Sequence, residues 1–182
     1  MNDIVRIANA LDFAARKHAD QKRKGVKQEP YVNHLIEVAN LLAEATAGVD
    51  PEVVMAGLLH DTIEDQAVGY EELVESFGKV VADLVKEVTD DKSLPKGERK
   101  QLQIDTAPMK SRQAKMLKIA DKTSNLRSLV TNPPDWPAER KEIYFLWARS
   151  VVAGCRGVNP TLEAGFDEAF KNGVNAGLVS EA

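Results

Sequence analysis

Apolar residues recur at helical spacing along nearly the whole chain, and no stretch of useful length alternates apolar with polar. A half-buried strand needs a period of two, whereas an amphipathic helix needs the longer period seen here. The chain therefore reads as all-α, a single-domain helical fold. Ile4, Ile7, Ala8, Leu11, Ala14 and Ala15 place a first helix over about residues 3–19. DQKRKGVKQEPYVNH, with Gly25 and Pro30, reads as a loop, and helical spacing resumes from His34 to Ala45. Asp50-Pro51 opens a third helix, Asp as N-cap and Pro at the first helical position, running to about Asp65. Gly69 and Gly78 punctuate a helical hairpin of EELVESF and KVVADLVKEV. SLPKGERKQLQID holds a shorter helix or a partly ordered connection. A long helix spans Arg112 to Val130 and is broken by NPPDWP; another covers about 138–153. The last starts at Asn159-Pro160 and ends near Gly173, leaving a short fraying tail from Val174.

With 182 residues, 43% of them apolar, the chain can build one well-packed core. One domain is expected over residues 1–182, with its core at about 3–173 and a short C-terminal tail. A formal charge of −4 argues against a partner of long nucleic acid, which needs a broadly basic face. Cys155 is the single cysteine, so neither an intrachain disulfide nor a thiolate zinc cluster can form. Asp3, Arg6 and Asp12 interrupt any signal-peptide core, and no apolar run approaches the roughly 20 residues that span a bilayer. A soluble cytoplasmic protein without a membrane partner is expected; oligomeric state is left open.

The densest chemistry lies in LLHDTIED, residues 58–65. His60 and Glu64 are four apart, as are Asp61 and Asp65, so on a continuous helix each pair shares a face. Carboxylates placed against an apolar run are costly without a positive partner. His34 lies after PYVN, and Asp121 lies in LKIADKTSNL on the long helix. His34, His60, Asp61 and Asp121 together would offer two nitrogens and two oxygens to a divalent cation, a ligand mix suited to Mn, Fe or Zn. Each group alone has a plainer reading. Glu64 and Asp65 suit a solvated face, Asp121 suits an ion pair with Lys118 across a turn, and His18 suits a structural role. The ordered set of all of them favours a site.

HDTIED and ADKTSNL, with His34 upstream, resemble the HD-domain metal-dependent phosphohydrolases. More narrowly, RKGVKQEPYVNH, LLHDTIED, FGKVVADLVKEVTDDKSLPKGERK, KIADKTSNLRSL and IYFLWA are similar to the hydrolase half of RelA/SpoT proteins and to small alarmone hydrolases, including the metazoan SpoT homologs. The resemblance implies one divalent metal, expected to be Mn2+, on His34, His60, Asp61 and Asp121. It implies hydrolysis of the 3′-pyrophosphate of (p)ppGpp, a small anionic guanine nucleotide of the stringent response, giving GDP or GTP and pyrophosphate. Glu64 and Asp65 are the implied catalytic carboxylates, with their roles unassigned. Arg23, Lys24, Lys96, Asn125, Arg140 and Tyr144 are the implied substrate contacts, although Tyr144, Phe145 and Trp147 also fit a core stripe. Many relatives carry Gly where Gln28 stands and Pro where Leu35 stands. The alternatives are a phosphohydrolase acting on the 2′-phosphate of NADPH or on another nucleotide, and a non-catalytic nucleotide-sensing module.

Overall fold

The computed structural model describes residues 2–180. Among the described residues there is no strand; the one extended pairing is an isolated bridge between Lys22 and Pro30. The helices are α1 (Asp3–Lys17), α2 (Val32–Ala45), α3 (Pro51–Leu59), α4 (Thr62–Gln66), α5 (Tyr70–Phe77), α6 (Lys79–Val88), α7 (Lys96–Thr106), α8 (Arg112–Thr131), α9 (Ala138–Ala153) and α10 (Pro160–Asn175). A 3-10 turn, Ala107–Met109, joins α7 to α8.

Side-chain caps set several of the starts. Asp50 accepts from Val53 N at 3.1 Å with Pro51 behind it, and Ser111 caps α8 through Ala114 N. Asn159 caps α10 through the amides of Thr161 and Leu162, and its Nδ2 donates to Ala45 O at 2.9 Å, tying α10 to the end of α2.

Two helices dominate the interior in opposite ways. Every residue of α3 from Val53 to Leu59 is buried, so this helix is apolar all round and packs against α1, α2, α6 and α8. α8 is equally enclosed, between α2, α3, α6, α9 and α10, yet it buries Lys118, Asp121, Lys122, Thr123 and Ser124. Polar groups at that depth need partners, and they find them around the end of α3.

The expected third helix does not run unbroken to Asp65. It stops at Leu59, and a short α4 follows. Side chains compete for the carbonyls that would continue it. His60 Nδ1 takes Gly57 O at 2.9 Å and Thr62 Oγ1 takes Leu59 O at 2.6 Å. Asp61 sits in the step at φ −100° and ψ 0°. The expected tail is also different. α10 continues to Asn175, Val179 is buried, and Ser180 Oγ donates to Glu142 at 2.9 Å, so this segment packs back on α9.

Gly173 lies where α10 meets α9. A Cβ there would fall 2.1 Å from Cε1 of the fully buried Phe145. Gly173→Ala is expected to cost about 1–3 kcal/mol through overpacking. The thermal midpoint should fall by roughly 2–4 °C per kcal/mol. An unchanged midpoint in a thermal scan would contradict this packing.

Candidate metal centre and adjoining clefts

The broken helix turns His60 and Asp61 toward α2 and α8. One ligand atom from each of His34, His60 and Asp121 lies within 4.8 Å of the others, and all three residues are buried. His34 Nε2 is 3.4 Å from Asp121 Oδ1, and His60 Nε2 is 3.9 Å from the same oxygen. Asp61 borders this trio, with Oδ2 3.2 Å from His60 Nε2 and 3.9 Å from His34 Nε2.

The second ring nitrogens decide what the imidazoles present. His60 Nδ1 faces the Gly57 carbonyl, which can only accept, so Nδ1 carries the proton. His34 Nδ1 lies 2.8 Å from Ser124 Oγ, whose hydroxyl donates onward to Glu37 at 2.7 Å; this nitrogen too is the donor. Both Nε2 lone pairs are thereby turned to the centre. His60 Nε2 is buried, and although Asp61 is near, it is not aligned for a hydrogen bond. An orphaned lone pair between two carboxylates fits a divalent cation. A proton is its competitor. Burial lowers the His60 value, but the Asp61 and Asp121 charges outweigh burial and push it up to about 9. Burial dominates at His34 and lowers it.

The carboxylates are held from outside. Burial works to raise Asp121, but Lys122 and the two histidines pull it well below the usual range. Lys122 Nζ donates to Oδ2 at 2.8 Å and Asn125 Nδ2 donates to Oδ1 at 2.6 Å. The plainer reading of Asp121, an ion pair with Lys118, is not what forms: Lys118 donates to Val88 O at 2.9 Å. Tyr31 donates to Asp61 Oδ2 at 2.6 Å. His18 lies outside the centre, buried and stacked on Tyr31 with ring centroids 5.4 Å apart.

Glu64 and Asp65, adjacent on α4, diverge because successive residues of a helix face different directions. Glu64 lines the same 150 Å³ cavity as His60, Asp61 and Asp121. Burial, with Asp90 and Asp61 nearby, raises its pKa. Asp65 points to the mouth, where Lys92 donates to it at 2.6 Å and Gln21 at 2.9 Å.

Two clefts adjoin the centre. One, of about 550 Å³, shares Glu64, Asp90 and Gln103 with the inner cavity and is lined by Lys24, Lys96, Arg99, Lys100 and Arg140. Burial and the neighbouring cations lower Lys96 and Lys100, so the positive charge there is crowded. The other, of about 280 Å³, is lined by Arg23, Lys24, Asn125, Trp136 and Tyr144. Arg23 reaches Asn125 Oδ1 at 3.2 Å. All six expected substrate contacts thus line one cleft or both. The aromatic stripe divides. Phe145 is core, while Tyr144 and Trp147 face the clefts. Sequence reading missed Tyr31, Lys122, Arg99 and Lys100. Only Lys122, next to Asp121, carried a local signal; the others are brought in by the fold.

The HD domain family profile matches residues 10–153. This chain belongs to the HD domain family. Among curated HD relatives, guanosine-3′,5′-bis(diphosphate) 3′-pyrophosphohydrolase MESH1 of Drosophila melanogaster is 47% identical over 92% of this chain and 94% of its own. MESH1 of Homo sapiens is 46% identical over 93% and 96%. A solved HD structure, of a metazoan ortholog of SpoT that hydrolyses ppGpp, superposes with a TM-score of 0.87 at 47% identity, covering 91% of this chain and 94% of its own.

A cation that binds only the folded centre stabilises the fold by about 2.7 kcal/mol at a hundredfold excess over its Kd. Added Mn2+ is therefore expected to raise the wild-type melting temperature by several degrees, by roughly 2–4 °C per kcal/mol. Asp121→Ala should show no rise. An equal rise in both proteins would place the ion elsewhere.

Proposed function

We propose that this protein hydrolyses the 3′-pyrophosphate of (p)ppGpp, releasing pyrophosphate and GDP or GTP. The observation that carries this reading is the cleft crowded with Lys24, Lys96, Arg99, Lys100 and Arg140, which opens onto the carboxylate and imidazole centre. Its cations outnumber Glu64, Asp65 and Asp90 on the same walls, and the excess positive charge suits a substrate of several phosphates. The MESH1 relatives, matched over nearly their whole length, carry the corresponding activity in their names.

His34, His60, Asp121 and Asp61 would hold one divalent ion, for which we favour Mn2+ on the mixed nitrogen and oxygen donors. Such an ion supplies a lowered water pKa and neutralises charge on phosphate oxygens. Glu64, facing the same cavity and raised in pKa, takes the proton of the attacking water. The water oxygen bonds to the phosphorus carried on O3′, the P–O3′ bond breaks, and the proton ends on O3′. Asp65 is engaged by Lys92 and Gln21 and serves to shape the mouth. Arg23 and Lys24 on one side, and Lys96 and Arg140 on the other, bind phosphate. Asn125 couples Arg23 to Asp121, and Tyr144 offers a face to the nucleoside.

The test is release of pyrophosphate from ppGpp with Mn2+, with NADPH as a parallel substrate. Wild type should act on ppGpp. Glu64→Gln should lower kcat by about 10²–10⁴-fold, the range for a lost general base, while Asp65→Asn should have the smaller effect. Phosphate from NADPH with no action on ppGpp would move the substrate, and equal losses in the two variants would undo the division of roles.

A further inference from the structure

Asp121, Asn125, Ser128 and Asn132 follow one another along α8 at spacings of four, three and four, so they lie along one face of the helix and its end. The first belongs to the metal centre. The second catches the Arg23 side chain, and Ser128 lines the cleft beside it. Asn132 lies just past the last helical residue, is 2% exposed, and its amide closes the helix on Ser128 O at 2.8 Å. Its side chain turns to the loop that carries Arg23 and Lys24. Oδ1 accepts from Lys27 N at 3.0 Å, and the next residue accepts from Val26 N through Pro133 O at 3.3 Å.

Gly25 makes the contact close. A Cβ on it would lie 2.2 Å from Asn132 O and 2.4 Å from Asn132 Cγ, both far inside contact distance. The loop also closes on itself, with Arg23 N on Glu29 O at 2.8 Å and Gln28 N on Gly25 O at 2.9 Å, so a hold on residues 25–27 reaches Arg23 and Lys24 through a short, hydrogen-bonded path.

We propose that Asn132 is a positioning residue: by gripping the loop at Gly25–Lys27 it fixes where Arg23 and Lys24 stand relative to Asp121 on the same helix. The proposal rests on the phosphohydrolase reading for its substrate. Asn132 itself touches neither phosphate nor metal ligand. Its Nδ2 is buried without a hydrogen-bond partner, so the acceptor oxygen is the working atom.

The experiment compares wild type, Asn132→Ala, Asn132→Asp and Gly25→Ala for ppGpp kinetics, bound Mn2+ and hydrogen exchange of the Lys27 amide. Asn132→Ala should raise KM about tenfold, the scale of one lost charge-assisted contact, with kcat and metal content near wild type and Lys27 protection lost. Asn132→Asp keeps the acceptor for the Lys27 amide but buries a carboxylate, so it should retain more of KM and Lys27 protection than Asn132→Ala without matching wild type. Gly25→Ala, which leaves Asn132 intact, should raise KM in the same way, and the double variant with Asn132→Ala should be no worse than the poorer single one. A wild-type KM in Asn132→Ala overturns the proposal. So does a joint fall of kcat and metal content, which is the mark of general structural damage. Should wild type leave ppGpp untouched, the substrate reading fails separately. The anchor is then read by calorimetry with inorganic pyrophosphate: weaker binding by Asn132→Ala supports it, and equal binding overturns it.

Discussion

Two carboxylates, Asp61 and Asp121, are placed at the inner end of an apolar helix, and most of the surrounding structure is arranged around their charge. Burial of an ionised carboxylate is tolerable only with opposite charge and full hydrogen bonding. Lys122, Asn125 and Tyr31 supply part of this from outside. The inner side is left to two imidazoles whose Nε2 lone pairs face inward, fixed by Gly57 O and Ser124. Lone pairs facing carboxylates do not balance each other. A proton on His60 or a divalent cation does, and the HD family uses the cation in its hydrolases.

The division between α3 and α8 follows from that need. α3 anchors the site by being apolar on every side, and it ends where His60 and Thr62 capture its last carbonyls. The break sends Asp61 inward to the histidines, Glu64 into the inner cavity, and Asp65 out to Lys92. α8 carries the polar half and, through Asn125, links Asp121 to Arg23 on the loop before α2. The cations of α7 and α9 then form a wall that the centre alone would not explain.

Helix order was legible in the sequence because the apolar spacing and the Asp-Pro, Asn-Pro and Gly punctuation are local signals, while the separate α4 was not. The boundaries of α9 could be read to the residue. His34, His60 and Asp121 were legible as a set, since three separated polar residues beside apolar runs have few other uses. The break at His60 was not, because a side chain competing for a backbone carbonyl leaves no trace in periodicity. Nor was the Lys122 pairing, which depends on where α8 faces α2 and α3. Gln28 shows a subtler case. It stands at φ +47°, a conformation glycine adopts freely, and glycine is the residue the family resemblance leads one to expect there. Buried Val179 and the bond from Ser180 to Glu142 were hidden in a tail that looked too short to pack.

We propose that His34, His60, Asp61 and Asp121 hold a single cation. The most direct measurement is an anomalous difference map from a crystal grown with Mn2+. One peak is expected among the four side chains, about 2.0–2.3 Å from both Nε2 atoms and from an oxygen of each aspartate. No peak there at full soaking concentration, two peaks, or a peak coordinated by Glu64 and Asp65 instead, would contradict it.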